Sequence, residues 1–97
     1  MSLLFHLVPA ATWATAPDPY VPEGFEELGF VHLSTAAQLD IPGRAIYAGR
    51  DDVLVLLLDP ARLEGVVFEE GVPPVPGQQF PHLYGPLPHA AVLDVLP

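Results

Sequence analysis

The chain has 97 residues, no cysteine, and 12 acidic residues against three arginines, so its formal net charge is −9. A chain of this length forms a single domain, residues 1–97. The lack of cysteine excludes disulfides, thiolate metal sites and cysteine nucleophiles. The negative charge disfavours nucleic acids and anionic membrane surfaces as partners, because both repel it. The charge is compatible with a small phosphorylated ligand, because backbone N–H groups can bind phosphate locally. The sequence does not determine the oligomeric state.

The apolar start of the chain has only some features of a secretion signal. No basic residue precedes the apolar run from Leu3 to Val8, and His6 and Pro9 interrupt or end it. No stretch reaches the roughly 20 apolar residues that a membrane-spanning helix needs. We therefore expect a cytoplasmic protein.

The 13 prolines and eight glycines predict short elements joined by stiff loops. Residue patterns predict strands at 3–8, 30–33, 53–58, 66–70, 79–84 and 91–96, and helical turns at 10–16, 25–28, 36–39, 40–47 and 59–63. Three prolines and a glycine make residues 17–24 an irregular but ordered loop or lid. The six aliphatic residues at 53–58 predict a central strand buried on both faces. The fold class is α+β, with a small split antiparallel or mixed sheet and short helices.

Three histidines fall on predicted strands: His6, His32 and His82. If the sheet brings them to one cleft, they could act as acid and base near neutral pH, hold a ribose or bind a metal ion. The alternative is three separate histidines, each with its own hydrogen bond. The sequence has no compact His-x-His spacing, so we predict no metal site. His89, in a turn flanked by proline, is expected to be exposed.

Arg50 is the best candidate for a phosphate or carboxylate ligand, because a planar guanidinium binds either through two hydrogen bonds. The alternative is an ion pair with Asp51 or Asp52. Ser34 and Thr35 can cap a helix that begins at Ala36, and either hydroxyl could also contact a ligand.

Two acidic residues and a tyrosine complete the candidates. The alternation of strand 66–70 places Glu69 on the face opposite Glu70, and one of the two could serve as a general base if it is buried. The alternative is that both belong to a solvated strand end. His82 and Tyr84 project from one face of strand 79–84. Tyr84 could stack on a ligand or be an aromatic residue of the core or rim.

Four stretches taken together are distinctive: Phe5-His6-Leu7-Val8, Gly29-Phe30-Val31-His32-Leu33-Ser34-Thr35, Gly49-Arg50-Asp51-Asp52 with the aliphatic strand and Asp59-Pro60 behind it, and Pro81-His82-Leu83-Tyr84-Gly85-Pro86. With these stretches, nearly the whole chain resembles the uncharacterised family called domain of unknown function 952. That family in turn resembles the ADP-ribosyltransferase fold, a split sheet that binds NAD, and in particular its RNA 2′-phosphotransferase and poly-ADP-ribose polymerase branches.

The resemblance implies roles for the histidines. His6 is similar to the first-strand histidine that holds the NAD ribose, His32 lies near a tyrosine that stacks on nicotinamide, and His82 lies near a late-strand glutamate. The implied ligand is NAD, ADP-ribose or a related phosphorylated compound, with ADP-ribosyl or phosphate transfer as the implied chemistry. The implied site has His32, His82 and Glu69 as catalytic residues, and His6, Ser34, Thr35, Arg50 and Tyr84 as ligand contacts.

Some positions depart from that pattern. Leu7 and Val8 replace the hydroxyl and the glycine that usually follow the first histidine, and only Glu69 or Glu70 could supply the late-strand carboxylate. These departures favour the alternative, a non-catalytic binding or accessory domain that keeps the fold. An RNA-processing enzyme is a third hypothesis, which the net charge of −9 opposes.

Overall fold

The computed structural model describes residues 2–97, and at residues 45 and 46 the backbone alone. Six short strands and three short helices follow one another as β1 Leu4–Pro9, α1 Ala10–Ala14, α2 Phe25–Leu28, β2 Val31–His32, α3 Asp40–Tyr47, β3 Val53–Leu58, β4 Val66–Glu70, β5 Gln79–Leu83 and β6 Val92–Leu96. Short 3-10 turns occupy Ala36–Gln38, Pro60–Arg62 and His89–Ala91. The predicted elements and the α+β class are confirmed. Within residues 2–97, every helix is too short or too polar to cross a bilayer.

The strands form two three-stranded antiparallel sheets, with the orders β1-β3-β6 and β2-β5-β4. Of the two expected arrangements, antiparallel and mixed, the antiparallel one is present among the described strands. One isolated bridge links the sheets: Phe5 and Ser34 each donate a backbone N–H to the other's carbonyl at 2.8 Å. We call this bridge, with His6 and His32 beside it, the sheet junction.

The strand β3 lies at the centre of its sheet, between β1 and β6. Leu56 and Leu58 are fully buried, whereas its other four residues are only half-buried. The prediction of burial on both faces is therefore correct for one face and wrong for the other. The difference arises because the short helix α3 covers the second face incompletely and leaves an open groove beside Val53 and Val55.

Apolar residues of both sheets meet in one core: Leu4, Val8, Tyr20, Val31, Leu33, Leu56, Leu58, Leu83 and Leu87. Tyr20 belongs to the loop at 17–24 and forms a two-bond backbone bridge with Leu87, at 2.8 Å for each bond. The loop is therefore ordered, as predicted. This ordering places the Tyr20 ring 5.9 Å from the ring of His6.

His89 also holds the loop in place. Its Nε2–H donates to the carbonyl of Pro17 at 2.6 Å, and its backbone N–H donates to the Asp18 carboxylate at 3.0 Å. Its ring lies 4.6 Å from that of Trp13. The expectation that His89 is exposed is wrong, because these contacts leave it half-buried.

We predict that Leu56→Ala lowers the free energy of unfolding by about 2–5 kcal/mol, because the truncation leaves a cavity in a packed core. The measurement is chemical denaturation of the purified chain. Leu93→Ala is the matched control, since Leu93 is 51% exposed, and it should change stability by less than about 0.5 kcal/mol. Equal losses for the two variants would contradict the placement of β3 in the core.

Candidate functional site

The face of the second sheet that is turned away from the core carries the polar candidates. Because strand side chains alternate, Val31 and Leu83 point into the core, and their neighbours along each strand point the other way. In the register His32 lies opposite His82, and His82 lies opposite Val67, two residues from Glu69. We call this surface the histidine face; it comprises Phe30, His32, Glu69, His82 and Tyr84.

Proline 81 determines how the two imidazoles of this face meet. Its carbonyl accepts the N–H of Leu33 at 3.0 Å, so the backbone of Pro81 is turned towards β2. The backbone groups of the next residue, His82, therefore point towards β4, and His32 and His82 form a non-hydrogen-bonded pair. Side chains of such pairs are close together. The two rings lie perpendicular to each other with their centroids 5.5 Å apart.

Phe30 covers the ring of His82. The two rings are stacked, with centroids 3.9 Å apart and an interplanar angle of 15°. Phe30 also contacts His32 edge-on at 5.0 Å and lies 5.4 Å from the Tyr84 ring. His82 is only 1% exposed, whereas Tyr84 is 46% exposed. The face thus has two buried rings at its centre, His82 and Phe30, with the half-buried ring of His32 and the exposed ring of Tyr84 beside them.

A carboxylate fixes the orientation of His82. Its Nδ1–H donates to Oε2 of Glu69 at 2.7 Å, and the Tyr84 hydroxyl donates to the same oxygen. The bond from Tyr84, followed by that from His82, lowers the pKa of Glu69, so this side chain is ionised at neutral pH. The same contact with Glu69 raises the pKa of Tyr84.

The second nitrogen of His82 is unusual. Its Nε2 is completely buried and has no hydrogen-bond partner among the described residues. A buried polar atom without a partner costs about 1–3 kcal/mol of stability. A group that reached Nε2 with an N–H or O–H would recover that energy.

His6 contacts the same cluster from the other sheet. Its Nδ1–H donates to the backbone carbonyl of His32 at 2.7 Å, so an imidazole takes the place of a backbone donor where β1 and β2 separate. Burial lowers the pKa of His6 to about 4, although the bond to His32 partly opposes this effect. His6 is therefore neutral at pH 7, with its proton on Nδ1.

His32 connects the other two histidines. Its carbonyl accepts from His6, and its ring lies against His82. The ring is half-buried, and burial, followed by the charge of His82, lowers the pKa of His32. The structure thus brings the three histidines together, since His32 contacts both His6 and His82. His6 and His82 are buried, with exposed fractions of 7% and 1%.

Arg50 does not lie on the histidine face. Its guanidinium makes two hydrogen bonds to Asp52, at 2.8 and 2.6 Å, and lies 5.4 Å from the centre of the Tyr47 ring. Arg50 and Tyr47 border the open groove between α3 and the first sheet, which has a volume of about 580 Å³. Arg44 and Arg62 likewise lie 3.8 and 3.5 Å from the carboxylates of Asp40 and Asp59.

The two hydroxyl candidates have structural positions. Ser34 is buried, and its backbone forms the bridge to Phe5. Thr35 begins the 3-10 turn that follows, as predicted, and its N–H donates to the Gln38 side chain at 3.3 Å. Gln38 in turn donates to the carbonyl of Gln79 at 2.6 Å, which ties the turn to β5.

Sequence reasoning did not identify Phe30 as a residue of the site. The alternation of residues 30–33 places Phe30 on the same face as His32, and this signal would have been sufficient. Among residues 2–97, no group of three or more histidine or acidic side chains is placed to hold a metal ion. The accessible part of the histidine face consists of the ring of Tyr84, which is exposed, and the half-buried ring of His32.

The family model described as "Protein of unknown function (DUF952)" matches residues 7–95. The chain belongs to the DUF952 family. This DUF952 chain is similar to protein CC0527 from Caulobacter crescentus. The match to the crystal structure of CC0527 has 24% sequence identity and a TM-score of 0.83, and it covers 97% of this chain and 83% of the CC0527 chain. The solution structure of CC0527 is also 24% identical, covering 98% and 83%, with a TM-score of 0.75.

The crystal structure of a double mutant of CC0527 has 23% sequence identity to this chain and a TM-score of 0.84. The match covers 97% of this chain and 83% of the CC0527 chain. Similarity at these sequence identities shows that the two proteins have a common fold; it carries no information about activity. No curated protein matches this chain.

We predict that acidification destabilises the chain between pH 6.5 and about 4, because unfolded His6 takes up a proton there and buried His6 does not. Its lowered pKa corresponds to roughly 3 kcal/mol of stability that is present above pH 6.5 and lost as the pH falls. His32 adds to the loss in the same direction. The measurement is unfolding by denaturant at pH 7, 6 and 5, where most carboxylates remain ionised.

His6→Gln provides the comparison. This variant should be less stable at pH 7 but should lose less stability than the wild type between pH 7 and pH 5. Parallel pH profiles for the two proteins would contradict the assignment of His6 as a buried neutral imidazole.

Proposed function

We propose that the chain binds a small ligand of the NAD or ADP-ribose class, and that the ligand's planar ring and ribose lie on the histidine face. The observation that carries this proposal is the cluster that His82 forms with three other rings and one ionised carboxylate, in which Nε2 of His82 has no partner. Such a group of polar side chains, set in strands that otherwise favour aliphatic residues, is typical of a functional site.

The exposed ring of Tyr84 suits a planar base, with the buried ring of Phe30 supporting it from below. Tyr84 is half-exposed, and its hydroxyl is held by Glu69, so the ring keeps one orientation. Phe30 lies beside it at 5.4 Å. Stacking of a base on an aromatic side chain is worth about 1–3 kcal/mol and does not depend on which base is present.

The neutral histidines suit hydroxyl groups better than phosphates. A lowered pKa leaves His32 uncharged at pH 7, so its half-buried ring can offer hydrogen bonds but no positive charge. Arg50, the expected phosphate ligand, is paired with Asp52 beside a different groove. Recognition of the ring and the ribose, with the phosphates left in solvent, therefore fits this face best.

Burial of His82 favours the alternative without catalysis. A group that transfers a proton or contacts a reacting atom must reach the ligand, and His82 is almost completely covered. A domain that binds the ligand without transferring any part of it accounts for this burial. Release of nicotinamide from NAD, followed by chromatography, separates a transferase from a binding domain.

We predict that NAD, ADP-ribose and adenosine shift the NMR signals of His32 and Tyr84, and that ribose 5-phosphate shifts them least, because it has no base to stack. Tyr84→Ala should weaken adenosine binding about tenfold through loss of that stacking. Phe68→Ala is the matched control, because Phe68 is 51% exposed on the opposite face of β4.

Equal weakening by Tyr84→Ala and Phe68→Ala would contradict the proposed site. Shifts confined to Tyr47 and Arg50 would move the binding site to the groove beside α3. Absence of binding by all four compounds would contradict the proposed ligand class.

A further inference from the structure

The histidine face contains an unused acceptor next to an accessible ring. Glu69 fixes the proton of His82 on Nδ1, because a carboxylate can only accept a hydrogen bond. In the neutral ring this leaves a lone pair on Nε2, which is buried and unpaired. The neighbouring imidazole of His32 is half-buried and therefore reaches the surface.

We propose that Glu69, His82 and His32 form a relay in which Nε2 of His82 accepts an N–H from His32, and the outer nitrogen of His32 then accepts a hydroxyl group of the ligand. Glu69 and His82 are positioning residues in this arrangement, and His32 is the residue that touches the ligand. The inference rests on the proposed function and narrows its ligand class to compounds with a free ribose ring hydroxyl, at the 2′ or 3′ position.

The geometry allows the relay to close by side-chain rotation. Ring centroids 5.5 Å apart are close enough for two ring nitrogens that face each other to approach hydrogen-bond distance, about 2.7–3.2 Å. His82 is held by Glu69 and by the stacked ring of Phe30, so His32 is the ring that must turn. Its backbone is fixed from the other side by His6.

The relay gives the ligand a defined hydrogen-bond acceptor. With one N–H donated to His82, the neutral ring of His32 has its lone pair on the opposite nitrogen, at the exposed edge. A ligand hydroxyl that donates to this nitrogen stabilises the rotated ring. Binding therefore satisfies a buried atom that is unpaired in the free protein, and a ligand without a ribose ring hydroxyl does not have this effect.

Nitrogen NMR of the imidazoles in the full chain tests the relay. In the free protein, His82 should carry its proton on Nδ1, and its Nε2 signal should be that of a free lone pair. Adenosine should move the Nε2 signal to that of a hydrogen-bonded acceptor. 2′,3′-Dideoxyadenosine keeps the base but lacks both ribose ring hydroxyls, so it should move the Nε2 signal much less.

The variant Glu69→Gln provides a second readout, the pKa of His32. The titratable groups around His32 are His82 on β5 and His6 on β1, with Glu69 and Tyr84 acting through His82. Loss of the carboxylate should lower the pKa of His32, because a nearby negative charge stabilises an imidazolium. Glu70→Gln removes the same charge from the other face of β4 and should change this pKa much less.

Two results would overturn the relay. One is a proton on Nε2 of His82 in the free wild-type protein, a measurement that requires neither a ligand nor a variant. The other is an equal change in the pKa of His32 in Glu69→Gln and Glu70→Gln. If Glu69→Gln does not fold, the tautomer of His82 in the wild-type protein decides the question alone.

The relay and the proposed function fail in different ways. If none of the nucleosides binds, the proposed function fails, and the tautomer of His82 still reports on the pair with Glu69. If adenosine binds at Tyr84 and 2′,3′-dideoxyadenosine moves the Nε2 signal equally, the site stands and the relay is wrong.

Discussion

The hydrogen bond from the imidazole of His6 to the backbone carbonyl of His32 is the constraint on which the site depends. Two sheets that share one residue pair, Phe5 and Ser34, would otherwise leave that carbonyl without a donor as the strands separate. Because the His6 side chain donates to the carbonyl of His32, β1 and β2 can diverge at this point and the carbonyl still has a hydrogen-bond partner. The same bond fixes the tautomer of His6 and the backbone that carries the His32 ring.

Pro81 has a comparable influence on the second sheet. A proline within a central strand removes one N–H from the ladder, and here its carbonyl still bonds to Leu33. The resulting register sets His32 against His82 and leaves Glu69 within reach of the latter. The polar cluster is thus a consequence of strand pairing, and the stacked ring of Phe30 buries its centre.

The sequence predicts the local part of this structure well and the long-range part only partly. The aliphatic run at 53–58 and the alternation at 66–70 give strands with the same bounds as β3 and β4, since these signals lie within the segments themselves. The faces assigned to Glu69, His82 and Tyr84 were correct for the same reason. The alternative stated for Arg50, an ion pair with Asp52, is confirmed, since the two residues are neighbours in the chain. The burial of His89 depends on long-range contacts that strand patterns do not contain, and the ligand remains a proposal.

Each arginine pairs with an aspartate two to four residues away, and this pairing determines how the rate of ligand association depends on ionic strength. These local pairs cancel positive charge at short range, so the nine remaining acidic residues dominate the electric field at longer distances. A phosphorylated ligand approaches against this field, and dissolved salt screens it within about 10 Å at 0.1 M. Added salt should therefore speed the association of such a ligand, the reverse of the behaviour of a basic phosphate-binding protein.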